Sequence, residues 1–177
     1  MTCTTCYVAF EPHAPAPSQR LKCLQEAKAA GLNVYVAVAP TYPECDIADF
    51  TRTLEAIRPL DPVTVFMEPI NIRAENIARI EAHAASIGAT VNTAPFKSPW
   101  TWRRYAVDAM RGFAFAAANA RLQGQLHLWP DATLGSREAQ KEAAEWDRGA
   151  GYEPHLRWLQ HWWSRVSEWP TTAATGA

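Results

Sequence analysis

Val34-Tyr35-Val36-Ala37-Val38-Ala39, closed by Pro40, is apolar at every position. A strand that is apolar on both faces suits a parallel sheet covered by helices, because an antiparallel strand with one wet face alternates instead. Working upstream, Leu21, Leu24, Ala27 and Ala30 fall on one helical face, Ser18 is placed to cap that helix, and Gly31 suits its end. Working downstream, Asp46 caps a second helix with Ile47, Phe50, Leu54 and Ile57 on one face, and Pro59 and Pro62 stop it. Val63-Thr64-Val65-Phe66-Met67 is then a second buried strand. A third helix over 73–87 turns Ile77, Ile80, Ala84 and Ile87 inward, and Ala89-Thr90-Val91-Asn92 reads as a third, shorter strand. The expected sheet has the strands near 34, 63 and 89 parallel and adjacent in that order, with right-handed crossovers.

After Asn92 the rhythm changes. Ser98-Pro99 opens a long helix to about Leu122, with proline at its first position. Leu126-His127-Leu128-Trp129 can add one more strand, residues 136–148 form a polar helix, and Glu153 to Trp169 a Trp-rich one. Five of the eight tryptophans lie at 146, 158, 162, 163 and 169. Net charge is −3 over residues 1–88 and +2 over 89–177, which sets the halves apart. The reading is therefore an α/β chain with two parts. Residues 1–95 form a partial (β/α) barrel, a half-barrel built on a parallel sheet, and residues 96–177 form a helical Trp-rich C-terminal extension packed on it.

Length and composition narrow the function classes. The 177 residues suit one domain. With 48% hydrophobic and 20% charged residues the composition is that of an ordinary globular chain, which excludes a disordered or collagen-like one. No apolar run reaches the ~18 residues of a membrane span. The start lacks a basic region before an apolar core, so no signal peptide is expected. Four cysteines are too few for a disulfide scaffold, and a reducing cytoplasm is the expected compartment. A net charge of −1 gives no general attraction to nucleic acid.

Ligands of parallel α/β folds sit at the carboxyl ends of the strands. The candidates are therefore Tyr42 after the first strand and Glu68 and Asn71 after the second, expected to face a common cleft. Glu68 stands out because a carboxylate ending a buried strand needs a partner, either a ligand or the N–H groups of the next helix. Cys3 and Cys6 form a lone CxxC; joined to Cys45 they offer a metal site of incomplete spacing, and three ordinary thiols is the favoured reading. Trp102-Arg103-Arg104-Tyr105 is a basic aromatic cluster, suited to phosphate and base stacking or to a helix start set against a core.

A longer motif is more specific. Phe10-Glu11-Pro12-His13-Ala14-Pro15-Ala16-Pro17-Ser18-Gln19-Arg20-Leu21, with Ala30-Gly31 and then Val34 through Pro43, resembles a segment of radical S-adenosylmethionine proteins related to spore photoproduct lyase. The resemblance covers residues 10–50, and the βα rhythm extends it to about 92. His13 stands where that family usually has arginine. The family folds as a partial (β/α)6 barrel. A C-x3-C-x2-C loop holds a 4Fe-4S cluster, at which S-adenosylmethionine is cleaved reductively to a 5′-deoxyadenosyl radical. The matched segment follows the family's fourth strand. The resemblance thus implies that the front half of the barrel, cluster loop included, lies outside this chain and comes from a missing N-terminal half or a second subunit. It also implies that Tyr42, Glu68 and Asn71 lie at the barrel mouth, where the nucleoside is held. No 4Fe-4S cluster is expected in this chain, and it is not expected to be catalytic alone.

Two other readings stand beside this one. One is a small acid–base or metal-dependent lyase or hydrolase using Glu68, His127 and Asp131, which must converge within hydrogen-bond reach. The other is a non-enzymatic module docking through the C-terminal tryptophans, which also suit a homo-oligomer contact.

Overall fold

The computed structural model describes residues 10–71, 76–128 and Leu134. The chain divides into two compact units, Met1–Pro130 and Asp131–Ala177. The polar helix over 136–148 and the Trp-rich helix over 153–169 fall outside the described residues, as do Cys3 and Cys6.

Helix α1 (Pro17–Ala29) leads into strand β1 (Tyr35–Thr41). Its first helical residue is Pro17, and the Gln19 side chain accepts from Ala16 N at 3.0 Å. Ser18 is therefore inside the helix and not its cap. Gly31 ends it with φ +80°, where glycine carries no steric penalty. Helix α2 (Ile47–Ile57) begins as expected: Asp46 accepts from Asp49 N at 2.8 Å, and Asp49 returns the bond to Asp46 N at 3.2 Å. Phe50, Leu54 and Ile57 are buried, whereas Ile47 is half exposed. Strand β2 (Thr64–Pro69) follows, then helix α3 (Asn76–Ser86). Of the inward face expected there, Ala84 is buried and Ile87 is exposed.

Helix α4 (Pro99–Asn119) starts where Ser98-Pro99 placed it, with the Ser98 hydroxyl accepting from Thr101 N at 3.1 Å. Strand β3 (Leu126–Leu128) completes a sheet of order β1-β2-β3, parallel throughout. The third strand is thus not 89–92. In that segment Asn92 N donates to the Glu44 carboxylate and the Asn92 side chain accepts from Ala94 N, so its polar groups close a loop. Leu126 and Leu128 register with Val65 and Met67, which burial leaves at 0% exposure. A strand with two leucines at those positions removes more apolar surface from water than Ala89-Thr90-Val91-Asn92 could.

The sheet is covered unequally. Val36, Val38, Val65, Met67, Leu126 and Leu128 share one face and are buried. Helix α4 packs on β2 and β3 over that face and against α2, where Phe50 and Phe113 meet edge to face at 5.2 Å. On the other face Tyr35 is 58% exposed, and Ala37 and Ala39 are exposed. Among the described residues, apolarity on both faces of β1 therefore does not correspond to burial on both faces. Among the described residues, no helix is long and apolar enough to cross a membrane.

Candidate functional site

At the carboxyl edge the β1–β2 register shifts between Val38 and Thr41, so the chain leaves strict alternation and both Thr41 and Tyr42 turn inward. Proline at 40 has no N–H to give the ladder there. Thr41 becomes a junction. Its carbonyl accepts from Ile70 N at 2.8 Å and from the Tyr105 hydroxyl, and its own hydroxyl donates to the Glu68 carbonyl at 3.3 Å. Trp102 Nε1 donates to the Ile70 carbonyl at 2.8 Å. Helix α4 is thereby pinned to both strand ends by two aromatic side chains. Burial raises the Tyr105 hydroxyl pKa above its ordinary value, so it stays a donor.

The basic aromatic cluster mostly faces the core. Trp102 and Arg103 are buried, and Arg104 lies over the Trp100 ring at 4.9 Å.

Tyr42 is 2% exposed. The Phe10 ring stacks on it at 3.8 Å, and its hydroxyl donates to Glu11 Oε1 at 3.1 Å. Arg20 Nη1 holds Glu11 Oε2 at 2.8 Å. One carboxylate thus joins the loop before α1, α1 itself and the end of β1. Burial, and after it the neighbouring Glu11 charge, raise the Tyr42 pKa and keep the phenol protonated. Glu11, Arg20 and Tyr42 all belong to the motif quoted above, but reading it residue by residue does not pair them. The available signal was three non-adjacent residues of opposite or complementary hydrogen-bonding character within one motif.

A cleft of about 460 Å³ opens beside this cluster. Phe10, Pro12, Pro40, Tyr42 and Ile70 form its apolar wall. Glu11 and one face of α3, with Asn76, Arg79, Ile80 and His83, form the rest. Glu68 and Asn71 are not among its described lining residues. Glu68 is half-buried at the end of β2, in the alternation of Thr64 and Phe66. The Asn71 carbonyl accepts from Asn76 Nδ2 at 2.9 Å.

His127 is buried, with its ring 5.1 Å from that of its register neighbour Phe66, and burial lowers its pKa. It is held as a neutral core imidazole. Asp131 lies outside the described residues, so convergence of the Glu68, His127 and Asp131 set is not on view.

Cys23 is exposed on α1, and Cys45 is half-buried in the loop after β1. Among the described residues no group of three or more His, Cys, Asp or Glu side chains is placed to hold a metal ion.

Fold and site together define an open parallel α/β sheet with a ligand-sized cleft at its carboxyl edge. The chain matches no protein-family profile, and no solved structure matches it. It is similar to the uncharacterized protein ORF301 of Acidianus two-tailed virus, 34% identical over 78 residues. That match covers 41% of this chain and 26% of the viral protein, so the chain spans about a quarter of the length of the relative it matches.

Proposed function

We propose that this chain is the C-terminal part of a radical S-adenosylmethionine enzyme related to spore photoproduct lyase, working only once another polypeptide segment completes its sheet into a barrel. The observation that carries the reading is the uneven sheet. A (β/α) barrel sets helices outside its strands and closes the inner face by curving round to further strands. Here α4 lies on one face, while on the other Thr64 and His127 are buried but Tyr35, Ala37 and Ala39 stand exposed, and among the described residues β1 is an edge strand. The motif from Phe10 to Pro43 supports the same family, and its Glu11, Arg20 and Tyr42 gather at the carboxyl edge, where barrels bind ligands.

In this reading Glu68 accepts from ribose hydroxyls, and Asn71 donates and accepts at a carboxylate or base edge. Tyr42, already bonded to Glu11, fixes the end of the neighbouring strand. When bound in the completed enzyme, the cofactor supplies radical chemistry. No step is assigned to an iron–sulfur cluster on this chain.

Titration calorimetry of the full chain with S-adenosylmethionine and with adenosine tests this. Wild type should bind, and Glu68→Gln should weaken binding while leaving the melting temperature nearly unchanged. Loss of stability in Glu68→Gln, with no binding by wild type, would sink the reading and make Glu68 structural. Anaerobic reconstitution should leave the chain without iron. Close to four irons per chain, lost in Cys3→Ala, would contradict the assignment of the cluster to another segment.

A further inference from the structure

We infer that the cleft between the Phe10–Tyr42 stack and helix α3 is a binding site for an aromatic acid, a flat apolar ring system carrying a carboxylate or phosphate, with Arg79 receiving the anion. The inference goes beyond the enzyme reading and does not depend on it.

Three features of the cleft define the ligand. The first is its wall. Phe10, Pro12, Pro40 and Ile70 present rings and aliphatic surface, which favour a flat apolar body over a sugar or a peptide. The volume of about 460 Å³ accommodates a two-ring body with one substituent.

The second is the charge balance. Glu11 is the acidic residue lining the cleft, and both of its oxygens are engaged, one by Tyr42 and the other by Arg20. Its negative charge is offset before any ligand arrives. Arg79 is different: it is exposed on the cleft side of α3 and makes no ion pair among the described residues. A guanidinium is always charged and offers a planar fork of donors. Set at the rim of an apolar wall, it matches a carboxylate or phosphate attached to a ring lying inside.

The third is the spacing on α3. Asn76, Arg79, Ile80 and His83 stand at i, i+3, i+4 and i+7, so one helical face lines the cleft. That face mixes hydrogen-bonding side chains with a single aliphatic one. A helix packed only for stability would place apolar residues there.

Fluorescence or calorimetric titration with 1-naphthyl phosphate, 1-naphthoate and 1-naphthol tests the inference on the full chain. One or both anions should bind about tenfold or more tightly than the neutral alcohol, and their order tells whether the site is built for phosphate or carboxylate. Arg79→Gln should remove that preference while leaving naphthol binding unchanged, and Arg79→Lys should retain part of it. Because Arg79 is exposed, the variants should melt as wild type does. Equal binding of alcohol and anions, no binding of any probe at millimolar concentration, or an anion preference that survives Arg79→Gln would each overturn the proposal. S-adenosylmethionine in the same titration separates the two readings. Naphthyl anion binding without S-adenosylmethionine binding would uphold this site and count against the enzyme, and the reverse would do the opposite.

Discussion

At the scale of single residues, the carboxyl edge depends on aromatic hydroxyls kept protonated by burial. Tyr42 donates to Glu11 and Tyr105 to the Thr41 carbonyl, and both phenols have pKa values raised above the ordinary value of about 10. A group whose folded pKa is raised contributes its stability fully below the unfolded pKa and loses it as pH rises towards the folded value. Spectrophotometric titration of the folded protein should therefore leave Tyr42 and Tyr105 un-ionised at pH 11, and stability should fall above pH 10. If every tyrosine ionised with an ordinary pKa in the folded state, the two hydroxyls would not be buried donors. Glu11 is the partner shared by Tyr42 and Arg20, and among the described residues the Nε and Nη2 of Arg20 are already buried without a hydrogen-bond partner. Glu11→Ala strands two donors more, so denaturant unfolding should show a loss of about 1–3 kcal/mol. A loss below about 0.5 kcal/mol would show that water replaces the carboxylate.

At the scale of elements, the contact between α2 and α4 depends on the absence of a side chain. A Cβ built at Gly112 would lie 3.4 Å from Ile47 Cγ1 and 3.5 Å from the Phe50 ring. Gly112→Leu must push α2 away or force off-rotamer side chains, which costs about 1–3 kcal/mol by thermal or denaturant unfolding. Gly112→Ala should be far milder, since a methyl there meets Ile47 and Phe50 at van der Waals distance and alanine favours the helix. Equal tolerance of leucine and alanine would mean that α2 is loosely seated.

At the scale of the whole sheet, one face is core and the other is exposed along β1, and the two should respond differently to substitution. Met67 is fully buried on the helix-covered face, so Met67→Ala should cost about 2–5 kcal/mol. Ala37 lies exposed on the opposite face, and Ala37→Lys should change stability by no more than about 0.5 kcal/mol. The lysine would still obstruct any segment that closes the barrel over that face. Loss of assembly with a completing segment at unchanged stability is the outcome the proposed function predicts. A large loss of stability in Ala37→Lys alone would show that the face is already covered.

Much of the fold was legible because its signals are local. Asp46 and Ser98 cap the helices expected of them, since a cap needs only a side-chain oxygen near its own backbone. The runs beginning at 34 and 63 became parallel neighbours because their apolarity and spacing are properties of the chain itself. The sheet's third position was different. Residues 89–92 and 126–128 are both short and strand-like, and the choice fell to whichever buried more apolar surface beside Val65 and Met67, a quantity set by packing and not by local pattern. The exposed face of β1 showed the same limit, because apolarity states a preference for burial while coverage depends on which elements pack there. Tyr42 was found as a residue of the carboxyl edge, but its pairing with Glu11 spans 31 positions, and that of Tyr105 with Thr41 spans 64. Such contacts exist only once β1 and α4 have been brought together by burial of their apolar faces. The sequence by itself determined helices α1 to α4 and the strands beginning near 34 and 63; tertiary packing alone decided which strand completes the sheet, how much of its second face stays exposed and which side chains share the cleft.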